Sequence, residues 1–308
     1  MVIKFIPLII LLILSVSLNA QSCYNNYATG SVLDMGYIEE NVLTKRVVSY
    51  AHLSERDVLW SKRVWRTIDL RERMNHPLFY PEEPQSDRAA LWDIIKCSVL
   101  QEQSLTIYEL GDDFDDQFRF PVKPDNGNSN DPLFRKKLLS FFGEEQTFEV
   151  LDENDEPMFD LETGGVLLDT FLNEFTARDI IRYEIKEDCF FDKQRSILGT
   201  RIIGISPVIY YTDPETGDIM GLKNLFWLYF PECRYIFQNH KVYNSHNDAM
   251  SMSFDDIFWK RQFSSYITKE SNVADRPINS YKDGIDALLE AEDIKKEIFI
   301  KEHDMWNY

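Results

Sequence analysis

The chain has 308 residues, 44% of them hydrophobic and 14% aromatic, with a formal net charge of −19. That apolar content is enough for a full core and excludes wholesale disorder. So acidic a chain repels nucleic acid and anionic lipid, which favours solubility or a basic protein partner.

Residues 1–20 read as a signal peptide. Lys4 gives a positive start, and Phe5 to Val16 is an apolar run too short to span a bilayer comfortably. The polar, small-residue stretch Ser17-Leu18-Asn19-Ala20 follows, with cleavage expected after Ala20. Cys23 lies near that point, but Gln21 fits poorly in a lipid-attachment pattern, so a stray cysteine is the simpler alternative. Nothing later reaches membrane-spanning length, so the mature chain is expected to lack a transmembrane segment.

Residues 21–50 show little periodicity and suggest an extended arm ahead of one domain over 51–308. Ser54 with Asp57 signals a helix start. Val64 to Arg71 alternates apolar and polar residues, as a strand does. Pro77, Pro81 and Pro84 mark a stiff connection. From Asp87 to Gln103, Leu91, Ile94, Ile95 and Val99 share a helical face. An acidic loop is expected near 111–131, and Asp131-Pro132 should open a helix running to about Phe142.

Residues 144–162 hold nine acids and no base, which predicts a solvated loop or hairpin near 144–165. Tyr183, Ile185, Cys189 and Phe191 alternate along a strand, and Ile202 to Tyr211 forms another. Asp213 to Asp218 reads as a tight turn, with Leu225 to Phe230 as the returning strand. Ser253 caps a helix through Asp256, its face carrying Trp259, Phe263, Tyr266 and Ile267. After Gly284 a last helix has the stripe Ala287, Leu288, Ala291, Ile294 and Ile298, with Glu292–Lys296 and Glu297–Lys301 pairs. Strands and helices come partly in blocks, so the predicted class is α+β, mainly antiparallel sheet with flanking amphipathic helices.

Chemistry is sparse. The five histidines show no tight ligand spacing, and His240 with His246 reads as a solvent-facing pair before a metal pair. There is no nucleophile elbow, P-loop or dinucleotide-binding glycine pattern. Asp152, Asn154 and Glu156 begin a calcium-type loop, but Pro157 stands where a sharp turn requires Gly, and Thr163 where the closing Glu belongs. No catalytic, metal or cofactor residue is therefore assigned. An exported chain permits a disulfide, and Cys189 with Cys233 is the candidate pair, buried free thiols being the alternative. Phe226-Trp227-Leu228-Tyr229-Phe230 reads as sheet core. Met305, Trp306 and Tyr308 at the chain end are candidate partner contacts.

Several unbroken stretches carry more information than these motifs. They include Val58-Leu59-Trp60-Ser61-Lys62-Arg63-Val64-Trp65-Arg66, Asn75-His76-Pro77-Leu78, Tyr183-Glu184-Ile185-Lys186-Glu187-Asp188 and Phe191-Asp192-Lys193-Gln194-Arg195-Ser196. Later come Tyr229-Phe230-Pro231-Glu232-Cys233-Arg234, Phe254-Asp255-Asp256-Ile257-Phe258-Trp259-Lys260-Arg261 and Asp286-Ala287-Leu288-Leu289-Glu290-Ala291-Glu292. Over about 50–308 the chain resembles the gliding-motility protein N (GldN/PorN) family of the type IX secretion system, least so at 111–131 and 144–165.

The resemblance implies a non-enzymatic structural subunit, exported to the periplasm and held at the outer membrane through a lipoprotein, GldK/PorK. It further implies self-association within a ring, contact with the periplasmic region of GldM/PorM, and a role in protein secretion and gliding motility. It assigns no catalytic residues and no cofactor. A carboxylate-dependent cell-wall (peptidoglycan) hydrolase is the alternative, resting on 52 acids that sequence cannot pair.

Overall fold

The computed structural model describes residues 46–306, apart from 86–87, 111–115, 126, 150–167, 214–216, 245–246, 248–249 and 251. The signal-peptide segment, Cys23, most of the arm, residues 152–156 and Tyr308 lie outside the described residues.

The first element after the arm is β1 (Val58–Asp69), preceded by a single 3-10 turn at Glu55–Asp57. The helix expected from Ser54 is absent, and the Ser54 side chain caps nothing. Sheet pairing takes the chain over at once: Val58 already faces Asp192, and Trp60 faces Phe191. Then come α1 (His76–Phe79), α2 (Leu91–Leu100), β2 (Ile107–Glu109), β3 (Phe120–Pro121) and α3 (Pro132–Leu139). The α3 start is as expected: Asp131 accepts a hydrogen bond from the Leu133 amide, and Pro132 sits in the first turn. The acid-rich stretch opens as β4 (Gly143–Glu149), which pairs with β5 (Leu168–Glu174).

The long strands β6 (Ile180–Asp192) and β7 (Ile197–Thr212) form the centre of the fold. The returning strand is β8 (Ile219–Asn224), earlier than the sequence indicated. After a short slip the chain rejoins the same edge of β7 as β9 (Trp227–Tyr229). Phe230 opens α4 (Phe230–Phe237) instead of closing a strand. Pro231 accounts for this, because a proline costs no hydrogen bond in a helix's first turn. The remainder is β10 (Lys241–Val242), β11 (Met252–Ser253), α5 (Phe254–Trp259), β12 (Tyr266–Glu270) and α6 (Gly284–Trp306).

The main sheet runs β12-β1-β6-β7-β9-β2-β3, with β8 also on β7, and every pairing is antiparallel. The architecture is thus α+β with a dominant antiparallel sheet. One sheet face carries Ile68, Tyr183, Ile185 and Ile205, packed under α2, α4 and α5. Phe258 of α5 meets Phe230 and Phe237 of α4 at ring distances of 5.3 and 5.9 Å. Farther along the same face a smaller cluster joins Val64, Cys189 and Ile267 to Ala291, Ile294 and Ile298 of α6. Between the two, in the alternating row Tyr183, Ile185, Glu187, Cys189, stands the fully buried Glu187. Arg66 and Arg261 both pair with its carboxylate, and Arg261 also donates to Thr200 Oγ1 at 3.1 Å.

The two clusters separate the two cysteines of the candidate pair. Cys233 lies on α4 in the larger core, Cys189 on β6 in the smaller one, and both are free. The candidate disulfide is therefore not formed. Cys233 is also helical, not in a strand as its neighbours suggested.

Two helix readings change as well. The Ser253–Asp256 capping box forms, but α5 ends at Trp259, and Arg261 takes a left-handed φ of 53°. Tyr266 and Ile267 accordingly belong to β12. On α6, Leu288 is 55% exposed and drops out of the buried stripe. Within the helix, Lys295–Glu292 and Lys296–Asp293 pair at three-residue spacing, while Glu297 pairs with Lys62 of β1.

Candidate functional site

The other face of the sheet is polar and aromatic. Register places Trp65 beside Lys186 and Thr67 beside Glu184. On the next strand Glu184 faces Ser206, and Lys186 faces Gly204. Side chains alternate along strands, so these residues share one face with Val208 and its partner Asn224.

A loop at 116–119 crosses this face. Its anchor is Asp116, whose Oδ1 lies 3.1 Å from Lys186 Nζ while the Trp65 indole N–H donates to Oδ2. Lys186 also donates to the Asp116 carbonyl oxygen at 2.9 Å. The Lys186 side chain is only 3% exposed. Burial pulls its pKa below the ordinary lysine value, and Asp116 opposes that shift. Phe118, at a φ of 56°, presses its ring edge-on to Tyr108, Tyr229 and Trp227 at 5.2, 5.7 and 6.3 Å. Only glycine fits beneath it: a Cβ on Gly204 would come within 2.6 Å of Phe118 Cζ and 3.0 Å of Trp227 Cε3.

Beside this loop lies a groove of about 890 Å³. Its floor includes Glu184, Asn224 and Trp227, and its rim includes Leu222 of β8 with Ala287 and Leu288 of α6. Burial raises the pKa of Glu184, while the Asn224 side-chain amide donates to its carboxylate and holds the rise back. The Trp227 indole N–H is buried and has no hydrogen-bond partner among the described residues.

At the opposite side of the molecule, Val48 to Ala51 are bound to the helical layer. Arg234 donates to the Val48 carbonyl oxygen at 2.8 Å. It lies 4.5 Å from the Tyr50 ring and 4.8 Å from the Trp259 ring, and Arg201 donates to the Ala51 carbonyl oxygen. Large apolar side chains face outward elsewhere: Ile219 and Met220 on β8, Phe171 on β5, and Ile285, Leu289, Phe299 and Ile300 on α6.

Of the residues singled out by sequence, Cys189 and Cys233 sit in separate clusters. Met305 is half-buried near the end of α6, while the Trp306 side chain and Tyr308 lie outside the described residues. His240 is buried, not solvent-facing, and His246 is outside the described residues. Among the described residues no three His, Cys, Asp or Glu side chains form a metal cage, and no helix is long and apolar enough to cross a membrane. Glu184, Lys186, Asp116 and Trp227, which build the groove and its loop, were not picked out. The one available signal was Glu184-Ile185-Lys186-Glu187-Asp188, a strand with charges on both faces.

No curated protein matches the chain at a significant level. Over residues 53–307, however, it matches the family model described as gliding motility associated protein GldN. That covers most of the sequence, and the chain therefore belongs to the GldN family.

Proposed function

We propose that the chain is a non-enzymatic structural subunit of the periplasmic ring of the type IX secretion system, supporting protein secretion across the outer membrane and gliding motility. The family match over residues 53–307 carries this reading. In it, the first twenty residues direct export, and the mature chain sits at the outer membrane by binding the lipoprotein GldK/PorK. Neighbouring copies and the periplasmic region of GldM/PorM complete the assembly. The outward apolar side chains on β8 and α6 support it, since exposed clusters of this kind mark protein contacts. The test is to purify the mature chain with the lipoprotein and measure complex mass by light scattering. A co-eluting oligomer is expected, and consistent failure to co-elute under mild conditions would end the proposal.

One observation favours the hydrolase alternative: Glu184 has a raised pKa and lines a groove, as a general acid would. Against it, Asp116, the nearby acid, is already engaged by Lys186 and Trp65. Soluble product released from purified peptidoglycan, and lost in Glu184→Gln, would support hydrolysis. No release at roughly pH 4–8 would remove it.

A further inference from the structure

We propose that Cys97 forms a disulfide with Cys23, a covalent strap that fastens the start of the exported chain to α2 and leaves Cys23 no sulfur to carry a lipid. The proposal rests on the export step of the ring-subunit reading, because the bond needs an oxidising compartment.

The first observation is an account of the sulfurs. The chain has four cysteines, at 23, 97, 189 and 233. Cys189 and Cys233 are free thiols, whereas Cys97 is disulfide-bonded. Neither free thiol is its partner, so within the chain only Cys23 is left. Gln101 Oε1 lies 3.2 Å from Cys97 Sγ. A bonded sulfur carries no hydrogen, so this is a polar contact and not a hydrogen bond.

The second observation is where Cys97 sits. It stands in the last turn of α2 and is only 4% exposed, yet it belongs to neither apolar cluster. Bonded cysteines need their Cα atoms within about 7 Å of each other. A side chain this enclosed allows that approach to a segment of its own chain and denies it to a separate folded copy.

The third observation is the course of the chain between the two sulfurs. Arg234 and Arg201 hold the Val48 and Ala51 carbonyls against the helical layer. With Cys23 bonded to α2, the arm is tied at both ends. Residues 23–97 then form a closed loop that encloses β1 and α1. Closing so long a loop restricts the unfolded chain and thereby stabilises the fold.

The bond forms by thiol–disulfide exchange. Cys23 and Cys97 each give up a thiol proton and one electron, and their sulfurs join. A disulfide-bearing oxidoreductase of the compartment takes both electrons and both protons and leaves as a dithiol. A lipid anchor would instead use the Cys23 sulfur in a thioether, so the two fates exclude each other. The chain then reaches the membrane by non-covalent binding alone, in keeping with attachment through a lipoprotein.

The test takes the full-length chain, expressed in an exporting bacterium and purified without reductant. Intact mass is measured after alkylation in denaturant. Two alkyl groups are expected, on Cys189 and Cys233, and four after reduction. A non-reduced digest should yield one peptide pair joined through Cys23 and Cys97. Cys23→Ser should expose Cys97 as a third alkylated thiol and lower the melting temperature by roughly 5–15 °C. Adding Cys23→Ser to Cys97→Ser should cost nothing further, since the one bond is already gone. Four alkyl groups without reductant, a lipid mass on Cys23, or Cys97 joined to a second copy would each overturn the proposal. Cleavage after Ala20, read from the same mass, scores export apart. A cleaved chain with four free thiols removes the strap and leaves export. An uncleaved chain removes export and is then oxidised with glutathione disulfide, where the same peptide pair supports the strap and its absence removes it.

Discussion

Arg234 and Asp255 form a two-point ion pair, Nε to Oδ1 at 2.8 Å and Nη2 to Oδ2 at 3.2 Å, with the two side chains only 4% and 5% exposed. The pair joins α4 to α5, and through Val48 and Tyr50 it also fixes the start of the described chain. Arg234→Met leaves the Asp255 carboxylate buried without its guanidinium and should cost about 3–5 kcal/mol in urea unfolding. Arg234→Met/Asp255→Leu should lose clearly less than the two single changes added together, because no uncompensated charge remains. Additive losses would mean that the pair is not coupled.

Gly204 offers a second test. A Cβ there must displace Phe118 or Trp227. Gly204→Val should therefore free the loop at 116–119 and lower stability by about 1–3 kcal/mol. Enhanced proteolysis at that loop, compared with the parent, checks the site of the damage. An unchanged melting temperature and digestion pattern would contradict the packing.

The thiols of Cys189 and Cys233 should be inert in the native chain. Burial raises both pKa values, that of Cys189 to about 12. The reactive thiolate is therefore scarce at neutral pH, and access is closed. Alkylation followed by peptide mass spectrometry should leave both unmodified in the folded protein. Both should react in denaturant without any reductant; a need for reductant would mean that they are bonded.

Acid dependence should show two opposed contributions. Burial lowers the pKa of His240 from 6.5 to about 4. Between those values the unfolded chain takes up a proton that the folded chain refuses, so this contribution to stability rises with pH and is complete above 6.5. Burial raises the pKa of Asp93 from 3.8 to about 6, partly opposed by Lys96. Here the folded chain holds the extra proton, so this contribution falls as pH rises through the same range. Asp93→Asn removes the second effect. The variant should gain about 1–2 kcal/mol over the parent as pH climbs from about 4 to 6, and the gain should level off above that. A difference that does not change with pH would refute the Asp93 assignment.

Local patterns fixed some elements and missed others for identifiable reasons. Asp131-Pro132 and the Ser253–Asp256 box are short-range signals, and both helix starts form. The long alternation from Tyr183 to Phe191 was legible because a two-residue period needs no knowledge of its neighbours. Phe226 to Phe230 misled because aromatic side chains suit a strand and a buried helix start alike, and only Pro231 separates the two. Leu288 looked like core because spacing gives a helix's faces but not how wide a face the sheet will cover. The groove was illegible for a different reason. Asp116, Glu184 and Trp227 are far apart in sequence; strand pairing brings β6, β7 and β9 side by side, and the loop at 116–119 then carries Asp116 across them.

The ionic row at Glu187 has a consequence for cooperativity. A carboxylate and two guanidiniums interrupt the apolar face, and among the described residues the buried cluster under α6 is separate from the larger core. The terminal helix and β12 should therefore open as a unit of their own, at lower free energy than the rest. Amide hydrogens around Ile294 should exchange with solvent sooner than those of Ile185.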